Sequence, residues 1–199
     1  MLKIYTGILS VPQNKILIDT NVYLRLAQSI RPFLRTTFGN DNTTFYVLPD
    51  MDDEYNRNPR LKSSFSWFTD QEYSLNRKGT LTVSKKQMIE IDETVKFFKE
   101  TSAAVAPGVS TVDIKCLAYG YVLGIPVATD DKDMIILAEE YKIRTLKTLD
   151  VLKLMLDSQF INMNKIREIV EYIIYKDDLP AGFKADFKRI FKEEIPGTL

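Results

Sequence analysis

Histidine is absent from this chain and cysteine occurs once, at Cys116. The first absence removes Ser-His-Asp and Cys-His catalysis, histidine-based ribonuclease chemistry and every zinc site that includes an imidazole. The second leaves no intrachain disulfide framework and no thiolate cluster for a metal, which suits a reducing compartment. Net charge is lacking too. The 27 Lys and Arg balance 27 Asp and Glu, so no global field draws the protein to a polyanion, and any such contact has to come from a local patch. No run reaches the roughly 18 to 20 apolar residues of a membrane span, and the stretch from Met1 to Pro12 lacks the charged start and apolar centre of a signal peptide. A cytoplasmic protein with no membrane partner is expected. If it is an enzyme, carboxylates do the work.

What is present is the make-up of an ordinary globular domain: 199 residues, 45% apolar and 27% charged. The chain is organised around Lys15-Ile16-Leu17-Ile18-Asp19-Thr20-Asn21-Val22, an apolar run ending in a carboxylate, a hydroxyl and an amide. It predicts a buried strand that delivers Asp19 to a sheet edge, followed by a helix from Thr20 or Asn21 that Pro32 stops. Residues 1–13 read as a flap or an added edge strand. Further strands are expected at Thr44 to Leu48, Ile125 to Thr129 and Ile143 to Leu146, and helices at 85–101, after Ser110, after Asp131 and from Thr148 to Leu156. Strands alternating with helices predict an α/β protein, with a central parallel sheet covered on both faces. Residues 158–199 read as a helical C-terminal extension, with apolar stripes at Ile166, Ile169, Val170, Ile173 and Ile174 and at Phe183, Phe187, Ile190 and Phe191. Those stripes suit packing on the core or a dimer or partner surface.

The segment from Tyr55 to Ile89 carries Arg57, Arg60, Lys62, Arg77, Lys78, Lys85 and Lys86 interleaved with Tyr55, Phe65, Trp67, Phe68 and Tyr73. Cations for phosphates and rings for stacking are what a single-stranded nucleic-acid surface uses. A solvated helical arm with its rings in the core fits the same residues.

Four acids share one predicted location. In a parallel α/β sheet, strand C-termini and the N-termini of the following helices lie along one edge, where ligands bind. Asp19 ends one strand, Glu54 follows another, Asp113 lies in a first helical turn and Asp131 follows a third strand. Each alone has an everyday role, as a helix cap, a favourable charge at a helix dipole or a solvated charge. Together they repel, by roughly 1 kcal/mol for a pair about 4 Å apart in water and more in a cleft. Protonation or a cation has to relieve this, and oxygen-only ligands favour Mg²⁺ or Mn²⁺. Such ions support phosphodiester hydrolysis.

At these residues the chain resembles the PIN domain family of metal-dependent ribonucleases. The resemblance rests on Leu17-Ile18-Asp19-Thr20-Asn21-Val22, on Ser110-Thr111-Val112-Asp113 opening a helix that continues through Ala118, and on Val127-Ala128-Thr129-Asp130-Asp131-Lys132-Asp133. It spans about residues 14–155 and implies a three-layer α/β/α sandwich, with a PIN-like nuclease domain over 1–157 and the 158–199 extension outside it. Asp19, Asp113 and Asp131 fall on the family's first, third and fourth acids, with Asp133 as an additional metal-binding carboxylate; Asn21 and Thr129 match supporting polar positions. Glu54 best fits the second acid, with Asp53 and Asp52 as alternatives. The implied function is a Mg²⁺- or Mn²⁺-dependent endoribonuclease acting on single-stranded RNA, with Arg57, Arg60, Lys62, Arg77 and Lys78 as RNA contacts. The family includes toxins held by an antitoxin as well as RNA-processing enzymes, and nothing in the residues chooses between them. A homodimer is also open, as is a PIN-fold module that binds RNA or protein without cutting. A phosphotransferase of the haloacid dehalogenase type fits less well, because Asn21 stands where its second acid belongs; a receiver-like domain would need an acidic pair beside the first strand.

Overall fold

The computed structural model describes residues 13–79 and 81–197. The flap or edge strand expected over residues 1–13 therefore lies, apart from Gln13, outside the described residues. The elements run β1 (Lys15–Ile18), α1 (Thr20–Leu26), β2 (Thr44–Tyr46), α2 (Asp50–Arg57), α3 (Pro59–Ser64), α4 (Gln71–Arg77), α5 (Lys85–Val105), α6 (Thr111–Leu123), β3 (Val127–Ala128), α7 (Lys132–Glu140), β4 (Thr145–Leu146), α8 (Thr148–Asp157), α9 (Met163–Tyr175) and α10 (Phe183–Phe191), with a 3₁₀ turn at Ser66–Thr69 before α4. The strands form one parallel sheet in the order β2-β1-β3-β4. β2, β3 and β4 are each shorter than the stretch that predicts them. Extended pairing nevertheless continues past the strand ends, since the Asp19 amide donates to the Ala128 carbonyl (3.0 Å) and the Thr129 amide to Leu146 (2.8 Å).

Successive side chains of a strand point to opposite faces, and β1 divides the core accordingly. Ile16 and Ile18 pack with α1, α8, α9, α10 and the aromatic segment before α4, whereas Leu17 packs with α5, α6 and α7. The result is the expected three-layer α/β/α sandwich. Helix α1, which follows β1, lies on one face, and α7, which follows β3, on the other. The adjacent strands β1 and β3 thus form the point where strand order reverses, the place where ligands bind in open α/β sheets.

The C-terminal extension is part of this core. Ile166, Ile169, Val170, Ile173, Phe183, Phe187 and Phe191 are buried in the same cluster as Ile16 and Tyr23. Burying one such side chain contributes ~1.5–3 kcal/mol relative to leaving it exposed. Ile174, expected in the stripe, is instead 37% exposed. On α5 the buried side is Ile91 and Phe98, while Met88, Ile89 and Phe97 face outward. Helix α6 ends at Gly124, whose φ of +63° is the left-handed conformation that a glycine adopts without strain. Among the described residues, no helix is long and apolar enough to cross a membrane.

Candidate active site

Asp19 begins α1 but does not cap it: its backbone is extended, and its carboxylate accepts no hydrogen bond from the first-turn amides. The side chain is only 5% exposed. Its one hydrogen-bond donor is the hydroxyl of Thr129, 3.1 Å from Oδ2. The same hydroxyl lies 3.2 Å from the Met134 sulfur, but a carboxyl oxygen is a stronger acceptor than a thioether sulfur. Thr129 Oγ1 also accepts the Asp131 amide at 3.0 Å, so this fully buried residue ties the end of β3 to the end of β1. Burial, then the charge of Asp113 and more weakly that of Glu54, push the Asp19 carboxyl up to about 8, against partial relief from Thr129 and Arg25.

Glu54 is the member of its acidic run that turns toward Asp19. Its Oε2 accepts the hydroxyl of Thr20 at 2.5 Å. Burial raises its pKa, and the charge of Asp113 adds to the rise. The alternatives face elsewhere. Asp52 pairs with Arg77 at 2.7 Å, and Asp53 is an exposed partner of Arg57 at 3.7 Å. Asp50 is bound to Lys115 through both oxygens, each at 2.8 Å.

Asp113 and Asp131 each spend one oxygen on a helix start. Asp113 Oδ2 accepts the Ser110 amide (3.0 Å) in a reciprocal capping box, and Asp131 Oδ1 accepts the Met134 amide (2.8 Å). Capping and a site role are therefore compatible here, because the second oxygen of each accepts no hydrogen bond among the described residues. Burial raises the Asp113 pKa, and the charge of Asp131 adds to it. Asp133 lies beside the loop between α5 and α6, where a Cβ added at Gly108 would meet its Oδ2 at 2.0 Å. A small cleft joins Asp19, Thr20, Met51, Asp113 and Cys116. Burial pushes the Cys116 thiol well above its ordinary value, which leaves it inert as a nucleophile.

Asp19, Glu54, Asp113 and Asp131 thus form a chain of mutually acting charges at the strand switch point. Among the described residues, no three acids stand close enough together to share a metal ion as their side chains lie. The donor set itself is all oxygen, and the raised acids are relieved by added positive charge, which fits a hard divalent cation.

The basic arm requires correction. Arg77 is 7% exposed; it pairs with Asp52, donates to the Phe68 carbonyl (2.9 Å) and lies 3.4 Å from the centre of the Phe68 ring. It is a core residue and offers no phosphate contact. Tyr55, Phe65, Trp67, Phe68 and Tyr73 are buried as well, with Tyr55 and Phe68 stacked at 4.1 Å. Their rings gain more from the core than from solvent, so they form no open stacking platform. Arg57, Arg60, Lys62 and Lys78 are exposed.

Three partners escaped the sequence reading. Thr20 holds Glu54. Arg25, buried on α1, binds Asp130 at 2.8 Å and Asp178 of the extension at 2.9 Å, and Asp130 also accepts the Thr148 amide at 3.1 Å. Lys115 neutralises Asp50. The available signal was an arginine inside the apolar run Val22 to Leu26, where a charge needs a partner. Asn21 is exposed, makes no hydrogen bond to the acids, and lines a neighbouring pocket instead. No family model matches the chain, and no curated protein matches it.

Proposed function

We propose that this protein is a Mg²⁺- or Mn²⁺-dependent nuclease of the PIN kind that hydrolyses phosphodiester bonds of single-stranded RNA in the cytoplasm. The observation that carries this reading is Asp19. It is a buried carboxyl at a strand switch point that begins a helix without capping it, and it is held at about 8 by burial and by the neighbouring acids. A structural acid in that position would be expected to cap the helix or find a cation. Asp19 does neither, so its environment has the character of a site poised for a cation.

In this reading Asp19 and the uncommitted oxygens of Asp113 and Asp131 would hold the ion, and Asp133 stands near enough in sequence to assist. When bound, the ion supplies Lewis-acid stabilisation of the scissile phosphate and activates the attacking water. Thr129 orients the Asp19 carboxylate, and Thr20 orients Glu54 to align the water or accept its proton. The capping bonds of Asp113 and Asp131 keep both side chains at their helix starts, and closing the set around the ion would require their carboxylates to move toward Asp19.

The test is incubation of the protein with single-stranded RNA in Mg²⁺, Mn²⁺ or EDTA, beside Asp19→Asn. Cleavage is expected with either metal, none with EDTA, and none from the folded variant. Undiminished cleavage by Asp19→Asn would overturn the site assignment.

A further inference from the structure

Beside the acids lies a pocket of about 280 Å³ lined by Asn21, Arg25, Asn58, Arg60, Lys176 and Asp178, among others. Its walls continue those of the acidic site. Asn58 is four residues beyond Glu54 and caps the end of α2, while Asn21 and Arg25 follow Asp19 along α1. Residues four apart on a helix are neighbours on one face, so the pocket begins about one turn from the acids.

Its charges are unequally matched. Arg25 is committed to Asp130 and Asp178. Arg60 is exposed and has no carboxylate partner among the described residues. Lys176, half-buried, gives one hydrogen bond to the Ser64 carbonyl (2.9 Å) and likewise has no carboxylate partner among the described residues. Its ammonium sits 5.8 Å from the ring centre of Phe65 and 5.8 Å from that of Tyr175. An ammonium has three donors, so two remain for an anion. Tyr175 is 82% exposed, the most exposed of the large apolar and aromatic side chains among the described residues. The stacking ring that the basic arm fails to present is thus presented by the C-terminal extension, next to an uncompensated cation.

Resting on the nuclease reading above, we infer that this pocket is the subsite for the RNA strand flanking the scissile bond: Arg60 and Lys176 bind a backbone phosphate, Tyr175 stacks on a base, and Asn21 and Asn58 offer hydrogen bonds between them. Phosphate contacts and a ring at a positively charged groove are the means by which single strands are held without sequence readout. The extension then has a binding role as well as a packing one, since it supplies both Lys176 and Tyr175.

The experiment measures binding of a labelled single-stranded oligoribonucleotide by fluorescence anisotropy over a salt series. The full chain carries Asp19→Asn to prevent cleavage, alone or combined with Lys176→Gln, Arg60→Gln, Tyr175→Ala or, as a control on the opposite face of the sheet, Lys99→Gln. Lys176→Gln and Arg60→Gln are each expected to weaken binding several-fold and to reduce the slope of log affinity against log salt by about 0.7. Tyr175→Ala is expected to weaken it about ten-fold with the slope unchanged. Because Tyr175 is exposed, its loss leaves the fold intact. If the three variants bind as Lys99→Gln does while wild type still cuts RNA, the subsite is wrong and the nuclease reading stands. If the parent protein binds no single-stranded RNA, both fall. Tighter binding of an equivalent DNA strand, with the same variants impaired, would overturn the assignment of RNA as occupant.

Discussion

Two groups of buried charge stand at the same end of the sheet, supplied in part by the adjacent residues Asp130 and Asp131, and they are built on opposite principles. Around Asp130 every charge is answered: Arg25 joins it to Asp178, and Thr148 adds its amide and hydroxyl. Around Asp19 like charges act on one another, and the nearest donors are the neutral hydroxyls of Thr129 and Thr20. Burying a charge is costly unless it is paired. The first group meets that requirement within the chain. The second has no paired cation among the described residues, and burial keeps a proton on Asp19 instead. In the reading proposed above, the difference separates a structural staple from a site.

That contrast can be broken in several ways, beginning with the largest expected effect. Asp113→Asn should reduce metal-dependent RNA cleavage by at least about 10³-fold, which corresponds to ~4 kcal/mol of transition-state stabilisation, with no loss of thermal stability. A variant that cuts normally, or one that unfolds, would place Asp113 with the structural acids. Arg25→Met should do the reverse, destabilising the fold by ~3–5 kcal/mol because Asp130 and Asp178 are left without their cation. Denaturant melts that show no change would mean that the network is not the staple described.

Metal should then act selectively. At about 100 times its dissociation constant, Mn²⁺ is expected to stabilise the wild type by ~2.7 kcal/mol and to leave Asp19→Asn unmoved, as read by melting with and without EDTA. Equal shifts in both proteins would mean that the ion binds elsewhere. The smallest effect concerns pH. Between the ordinary Asp value of 3.8 and about 8, native Asp19 keeps a proton that the unfolded chain has released. Folding in that window takes up a proton, so stability without metal falls as the pH rises from 4 to 8. Glu54 and Asp113, also raised, act in the same direction. Asp19→Asn should flatten the profile by about 1.4 kcal/mol per pH unit within that window; an equally steep profile would show that Asp19 is ionised in the native state.

Much of the architecture was legible because it depends on local pattern. The apolar run before Asp19, the Ser110 and Asp113 capping box and the Gly124 stop are short-range signals, and each stands where the chain placed it. Alternation of strand and helix is enough to predict a parallel sheet with its acids along one edge. Composition narrowed the expected chemistry, since the chain has no histidine and a single cysteine. The basic arm shows the limit of this reading. Its spacing of cations and rings is the same whether the rings stack on bases or on each other, and the choice was made by Phe68 and Tyr55 meeting Arg77 in the core.

What the sequence by itself determined is therefore the layer order, the sheet edge that carries Asp19, Asp113 and Asp131, and the oxygen-only character of the site. The tertiary structure alone decided which neighbouring acids belong to it. Asp50, Asp52 and Asp130 carry the same carboxyl group as Glu54 and Asp131 and lie within a few residues of them, yet Lys115, Arg77 and Arg25 pair with the first three. Those cations come from elements 20 or more residues away in the chain, and the brackets between them close only on folding. A carboxylate's role is set by which charges surround it, and that is a long-range property that no local pattern encodes.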